Sequence, residues 1–318
     1  MNKLFCLIEQ RVPIIYINID EQCLTYESQI IITDFLKPIL SVNAYYVKNF
    51  LRFYISKLEK SGEETSDELY ELFVDPILLK AKELNADTPD ILKYYINGLN
   101  EESNDENDSV LIKETPRLIS GNNTTGLRTW EAALFLSNYL NDKQIRPYDL
   151  KDKRVLELGC GTGLISLSLA KNYHNKIGKL DRTIMTDGSS NVFDNMNESL
   201  SMNKLGNSLI SCQQLIWGEE NNVNDIDLLL GADITYDSRI LEPLCSTINQ
   251  FFNRGLSLCL IAATVRNEET LNNWEKELNK WFLNRWKIAK VFKVNETNSQ
   301  CWFDPNTPDI KLYEIVNS

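Results

Sequence analysis

Between Val155 and Ile165 a short apolar run, Val-Leu-Glu-Leu, meets three glycines, at 159, 161 and 163, and apolar residues resume at Leu164. A buried strand must stop here, turn sharply and hand over to a helix. Glycine lets a backbone turn tightly and approach a ligand closely, and the helix that follows opens with unpaired N–H groups. Such a junction is at home in α/β folds that bind ligands beyond the carboxyl ends of their strands, but dinucleotide oxidoreductases use it too, with the spacing G-x-G-x-x-G. Here the third glycine falls one place early, and Leu164 holds the oxidoreductase glycine's position. The spacing therefore disfavours a nicotinamide enzyme.

The chain around this junction alternates. Strands are expected at 154–158, 182–186, 209–216, 226–230 and 256–265, with helices at 163–171, 189–205, 239–252 and 267–281 between them. Strands separated by helices imply a mostly parallel sheet covered on both faces. Two more strands, 286–294 and 310–315, have no helix between them, which implies an antiparallel addition at one edge. The expected fold is α/β, a seven-stranded, mostly parallel Rossmann-like sheet with an antiparallel edge.

Residues 25–99 read differently. Ile32, Phe35, Leu36, Ile39 and Leu40 recur at helical spacing, as do Tyr46, Val47, Phe50, Leu51, Tyr54 and Leu58. The reading there is helices and no strand. The run Glu101–Ser109 carries five acids and no apolar residue, so it is read as a solvated linker. The expected division is a smaller helical N-terminal domain, 1–118, and a catalytic domain, 119–318.

Composition narrows the function. The net charge is −12, so an extended interface with nucleic acid is not expected. Seven cysteines are widely spaced without a C-x-x-C pair, which argues for reduced thiols and not for a disulfide framework or a zinc site. The single histidine, His174, lies in a polar run and is read as a surface residue. The N-terminal apolar run is too short for a signal peptide. The longest mostly apolar stretch, 256–265, falls well short of the roughly 20 residues that span a bilayer. No membrane association is expected, and the expected location is the cytoplasm.

Three further segments carry candidate chemistry. Asp187 ends the second sheet strand, 24 residues past Gly163. There it can accept hydrogen bonds from two ribose hydroxyls or cap a helix. Asp233 and Tyr236, in Gly231-Ala-Asp-Ile-Thr-Tyr-Asp237, lie at another strand end and face the same crevice, or serve only as turn residues. Trp130, in Thr124-Thr-Gly-Leu-Arg-Thr-Trp-Glu-Ala-Ala133, either covers a ligand or sits in a core, and Trp217 can pack on a flat ring.

Together these residues resemble the seven-strand protein-lysine methyltransferases. The resemblance rests on Glu157 before Gly159, Gly161 and Gly163, on Trp130-Glu-Ala-Ala133, on Asp187 and Trp217, and on Asp233-Ile-Thr-Tyr236. It covers roughly residues 124–318. Within that group the chain is similar to the fungal and animal enzymes that methylate elongation factor 2, on the wording Thr125–Ala133 and on a helical extension with Phe35-Leu-Lys-Pro-Ile-Leu40 and Tyr70–Leu78. The resemblance implies S-adenosylmethionine as cofactor, held by Trp130, Glu157, Leu158, Gly159, Gly161, Gly163, Asp187, Trp217 and Ala232. It implies Asp233 and Tyr236 at the catalytic centre, no metal, and a protein substrate met by a monomer. The alternatives are a methyltransferase acting on another protein or a small molecule, and a cofactor-binding scaffold without turnover.

Overall fold

The computed structural model describes residues 1–96, 109–121, 124–142, 148–175, 180–206, 208–296, 299 and 301–317. The chain opens with α1 (Asn2–Glu9), α2 (Tyr26–Ser61), α3 (Asp67–Phe73) and α4 (Pro76–Lys80), followed by the antiparallel pair β1 (Asp90–Tyr95) and β2 (Ser109–Glu114). Then come α5 (Glu131–Leu140), β3 (Arg154–Leu158), α6 (Leu164–Asn175), β4 (Arg182–Asp187), α7 (Phe193–Met202) and β5 (Ile210–Gln214). The remainder is β6 (Leu228–Ala232), α8 (Ser238–Asn253), β7 (Leu258–Thr264), α9 (Glu268–Phe282), β8 (Trp286–Phe292) and β9 (Ile310–Val316).

The seven-stranded sheet has the order β5-β4-β3-β6-β7-β9-β8. The first five strands in that order are mutually parallel, and β9 joins β7 and β8 antiparallel, as the sequence predicts. Period-two alternation splits β3 between two cores: Val155 packs with α5, α6 and α7, whereas Leu156 and Leu158 pack with α8 and α9. The outermost strand, β8, carries a bulge between Ile288 and Lys290. Positions 287–291 of that strand are exposed.

The N-terminal region departs from the helical reading. Residues 90–95 form a strand, because Asp-Ile-Leu-Lys-Tyr-Tyr after Pro89 alternates with period two: Leu92 and Tyr94 are buried while Ile91 and Lys93 are half-buried. Ser109, assigned to the acidic linker, instead begins β2 and is buried. The rest of that linker, 101–108, and the side chain of His174 lie outside the described residues. Leu92, Tyr94, Ile96, Val110 and Ile112 belong to the same core as α5 and α6. The outer edge of β2 is completed by side chains of α7: Asn203 accepts from Leu111 N and donates to Leu111 O, and Ser199 Oγ accepts from Lys113 N.

The two apolar sets predicted for separate helices fall in one 36-residue helix, α2. It is the one helix among the described residues long and apolar enough, by length and composition, to cross a membrane, a length the sequence reading did not assign. Its buried positions, Ile32, Leu36 and Ile39, then Val47, Phe50, Leu51, Tyr54 and Leu58, form the core of the N-terminal part with α1, α3 and α4. The helix breaks at Asn43 (φ −142°, ψ 74°). Asn43 Oδ1 accepts from Tyr46 N at 2.9 Å, which caps the second half, and its Nδ2 donates to Asp90 at 2.6 Å. Asp90 is buried and also receives Arg11 through both nitrogens of a fork, at 3.2 and 3.3 Å. One carboxylate thus joins the end of α1, the bend of α2 and the start of β1. All seven cysteines are free, and all but Cys212 are buried.

Removing one partner from a buried ion pair leaves an uncompensated charge, at a cost of about 3–5 kcal/mol. Arg11→Met is therefore expected to destabilise the protein by about that much in urea denaturation, and adding Asp90→Leu to recover a large part of the loss.

Candidate active site

A cavity of about 810 Å³ opens at the carboxyl ends of β3, β4, β5 and β6. Its floor is the turn after β3. Gly159 and Gly161 adopt left-handed backbone, with φ of 59° and 51°. A Cβ on Gly159 would lie 2.7 Å from Ile234 and 3.2 Å from the ring of Trp217. A Cβ on Gly161 would lie 3.1 Å from the carbonyl oxygen of Gly126. Only glycine gives this floor both its turn and its neighbours.

Glu157 and Asp187 bring two carboxyls to one side. Glu157 is buried, and its Oε2 accepts from the backbone N–H of Ser166 at 3.0 Å and from its hydroxyl. Burial pushes the Glu157 carboxyl up to about 7, against the lowering effect of the Ser166 hydrogen bonds, and the Asp187 charge adds to the rise. Asp187 Oδ2 accepts from Gly161 N at 3.1 Å and Oδ1 from Ser189 N at 2.9 Å. Burial raises its pKa as well. The capping role left open for Asp187 belongs to Ser189, which accepts from Asn191 N. Asp187 itself lines the cavity.

Asp233 stands after β6 in left-handed backbone, φ 53°. Its Oδ1 accepts from Thr264 N at 2.9 Å. Its Oδ2 accepts from Thr264 Oγ1 at 3.0 Å and from Ala132 N at 3.4 Å, and pairs with Arg266 Nη1 at 3.0 Å. One carboxylate thus ties the ends of β6 and β7 to the start of α5. Tyr236 is exposed on the rim. Trp130 lies in the wall and not in a core: its Nε1 donates to Thr125 O at 2.9 Å. The guanidinium carbons of Arg128 and Arg266 lie 4.5 and 4.8 Å from the Trp130 ring centroid. Glu131 pairs with both arginines.

The cavity thus brings together Trp130, Glu157, Gly159, Gly161, Asp187, Trp217, Ala232, Asp233 and Tyr236. It does not include Leu158 or Gly163. Leu158 follows Glu157 on a strand, so its side chain faces the opposite core. A Cβ on Gly163 would meet Met185 at 2.9 Å, beneath β4 and away from the cavity. The sequence alone does not point to Ser166, nine residues past its partner Glu157, or to Thr264 and Arg266, whose partner Asp233 follows another strand. Arg128 stood inside a quoted motif without a role.

The arrangement suits a nucleoside joined to a cationic amino acid. Asp187 can accept hydroxyls, the Glu157 carboxyl beside it suits a cationic group, and the flat face of Trp217 is available while its buried Nε1 has no hydrogen-bond partner. A family model described as lysine methyltransferase matches residues 107–284. Protein-lysine N-methyltransferase EFM3 of Saccharomyces cerevisiae is 33% identical over 88% of this chain and 88% of its own. Its namesake in Chaetomium thermophilum is 37% identical over 66% and 62%. Human protein-lysine N-methyltransferase EEF2KMT is 26% identical over 79% and 76%.

A carboxyl raised by the fold favours the folded state when protonated. The Glu157 contribution is therefore present below its ordinary value near 4.5 and is lost as pH rises through about 7. Relative to Glu157→Gln, the protein without ligand is expected to lose about 3 kcal/mol of stability between these pH values, measured by chemical denaturation across the pH series.

Proposed function

The chain belongs to the lysine methyltransferase family, and from that premise we propose that it transfers methyl groups from S-adenosylmethionine to one lysine of elongation factor 2. Dependence on S-adenosylmethionine and action on protein lysine follow from the family. The choice of substrate is supported by one observation above all: the likeness to the yeast enzyme runs through the N-terminal helices as well as the catalytic part, across 88% of both chains. The name of the human relative, EEF2KMT, is consistent with it. In this reading residues 1–118 and 119–318 act as two domains, with the β1–β2 pair packed on the catalytic side.

When bound, the cofactor supplies a methyl group already activated on a positively charged sulfur. The protein's part is alignment and electrostatics. Asp187 would accept the ribose hydroxyls through bonds worth about 1.5–3 kcal/mol each. Trp217 and Ala232 would hold the adenine, Trp130 and Glu157 the amino-acid end, and Gly159 and Gly161 would let the ligand lie close to the backbone.

The lysine must attack as the neutral amine. With a free pKa of about 10.4, its deprotonation at pH 7 costs roughly 4–5 kcal/mol. Burial against Trp130 lowers that cost, and so would the positive charge of the bound cofactor. Asp233 positions the amine, and Tyr236 orients it from the rim. Because Asp233 is already held by Thr264, Ala132 and Arg266, it receives the incoming ammonium only as Arg266 gives way.

The test is incubation with methyl-labelled S-adenosylmethionine and a cytosolic extract lacking this enzyme, with the label mapped by mass spectrometry. Label is expected on one lysine of elongation factor 2. Asp233→Asn keeps a residue that tolerates the left-handed backbone and is expected to reduce labelling at least a hundredfold while cofactor affinity stays near wild type. Label on a different protein would replace the substrate. Full activity in Asp233→Asn would remove the role given to Asp233.

A further inference from the structure

A second cavity, of about 570 Å³, lies on the other side of the segment Arg128–Thr129–Trp130, and those three residues line both cavities. Its volume falls within the roughly 300–1,000 Å³ of ligand sites. Its walls come from segments remote in sequence: the exit of α1, the bend of α2, the β1–β2 pair and the turn Trp302–Asp304. Much of this lining lies outside residues 107–284, the part matched by the family model.

The most buried polar groups of this cavity are satisfied within the protein. Asp90 has Arg11 and Asn43. Glu114 accepts from Tyr94 Oη at 2.8 Å and from Thr129 N at 2.7 Å. By contrast, the Tyr45 hydroxyl, the Asn49 amide and the Trp302 indole nitrogen line the cavity with no hydrogen-bond partner among the described residues. They stand beside the apolar faces of Tyr46, Leu134 and Phe303.

We propose that this second cavity seats the segment of the protein substrate that flanks the target lysine, so that the substrate chain crosses Glu131 and presents its lysine at the rim of the first cavity. The proposal rests on the protein-lysine methylation described above. Three observations favour a polypeptide occupant. The two cavities are adjacent and share the wall Arg128–Thr129–Trp130, and Glu131, which lines the second, bonds Arg266, which lines the first. An extended peptide brings N–H and C=O groups that need partners once water is displaced, and Tyr45, Asn49 and Trp302 supply them next to aromatic area. The lining holds the carboxylates Glu83, Asp90, Glu114, Glu131 and Asp304 against Arg11, Arg117 and Arg128. While Glu83 and Glu131 are paired with arginines, Asp304 has no ion pair among the described residues, so the excess of carboxylates suits a segment made basic by its lysine.

The experiment uses the full chain, purified elongation factor 2 and two readouts. Binding is measured with the demethylated cofactor, S-adenosylhomocysteine, present at saturation, and methylation is measured as a function of substrate concentration. Asn49→Trp fills the cavity from α2, and Tyr45→Ala and Trp302→Ala each remove one hydrogen-bonding group. If Asn49→Trp does not fold, the other two carry the test. The expected result is cofactor affinity and kcat near wild type, with KM and the dissociation constant for elongation factor 2 raised at least tenfold. A variant impaired merely in structure would lose kcat and cofactor affinity as well. Wild-type binding and KM in folded variants would overturn the seat and leave the enzymatic reading intact. A wild-type protein that neither binds nor methylates elongation factor 2 would overturn the substrate reading, and this proposal with it.

Discussion

The active site depends on two backbones in contact. Gly126, in the loop before α5, and Gly161, in the turn after β3, approach so closely that a Cβ on either would meet the other's main chain at 3.0–3.1 Å. This contact sets the separation between the loop that carries Trp130 and the turn that carries the backbone floor. Thr129 Oγ1 and Thr162 Oγ1, 2.8 Å apart, repeat the connection three residues further along the loop and one residue further along the turn. Packing interiors are dense, so a single added methyl group here has nowhere to go.

The same loop is held from behind. Thr115 N donates to Leu127 O at 2.7 Å, and the buried carboxyl of Glu114 takes Thr129 N. Burial raises the Glu114 carboxyl above its ordinary range. The β1–β2 pair, which lies before the glycine motif in sequence, is therefore a structural support of the motif's partner loop. Asp233 performs the complementary task in front, joining β6, β7 and α5 through one carboxylate. The loop is thus held on one side by the β1–β2 pair and on the other by Asp233.

Much of this was legible in the sequence, for a physical reason. Where a backbone must turn in left-handed conformation or touch another backbone, only glycine serves, and Gly159 and Gly161 declare their own geometry. The strand-end position of Asp187 follows from the alternation of strands and helices, whereas Ala232 is named only by the resemblance. Leu158 and Gly163 show the limit of proximity: they adjoin cavity-lining residues, but the strand period turns one away and the helix start turns the other inward. Thr264 and Arg266 are not legible, because each owes its role to Asp233 after a different strand, and Ser166, nine residues past Glu157, meets that carboxyl only once the strand, turn and helix fold back on one another. Residues 90–95 escaped because six alternating residues carry little signal beside a long helical region.

The outermost strand of the sheet has a consequence beyond catalysis. β8 offers an open row of backbone groups, which in other proteins is a template for pairing with a second chain. Here the bulge at Ile288–Lys290 interrupts that row, and Lys287 and Lys290 add charge to it. Lys287 is moreover fixed to Glu314 at 2.7 Å. That edge of the sheet is thereby a poor template for a strand from a second copy of the chain.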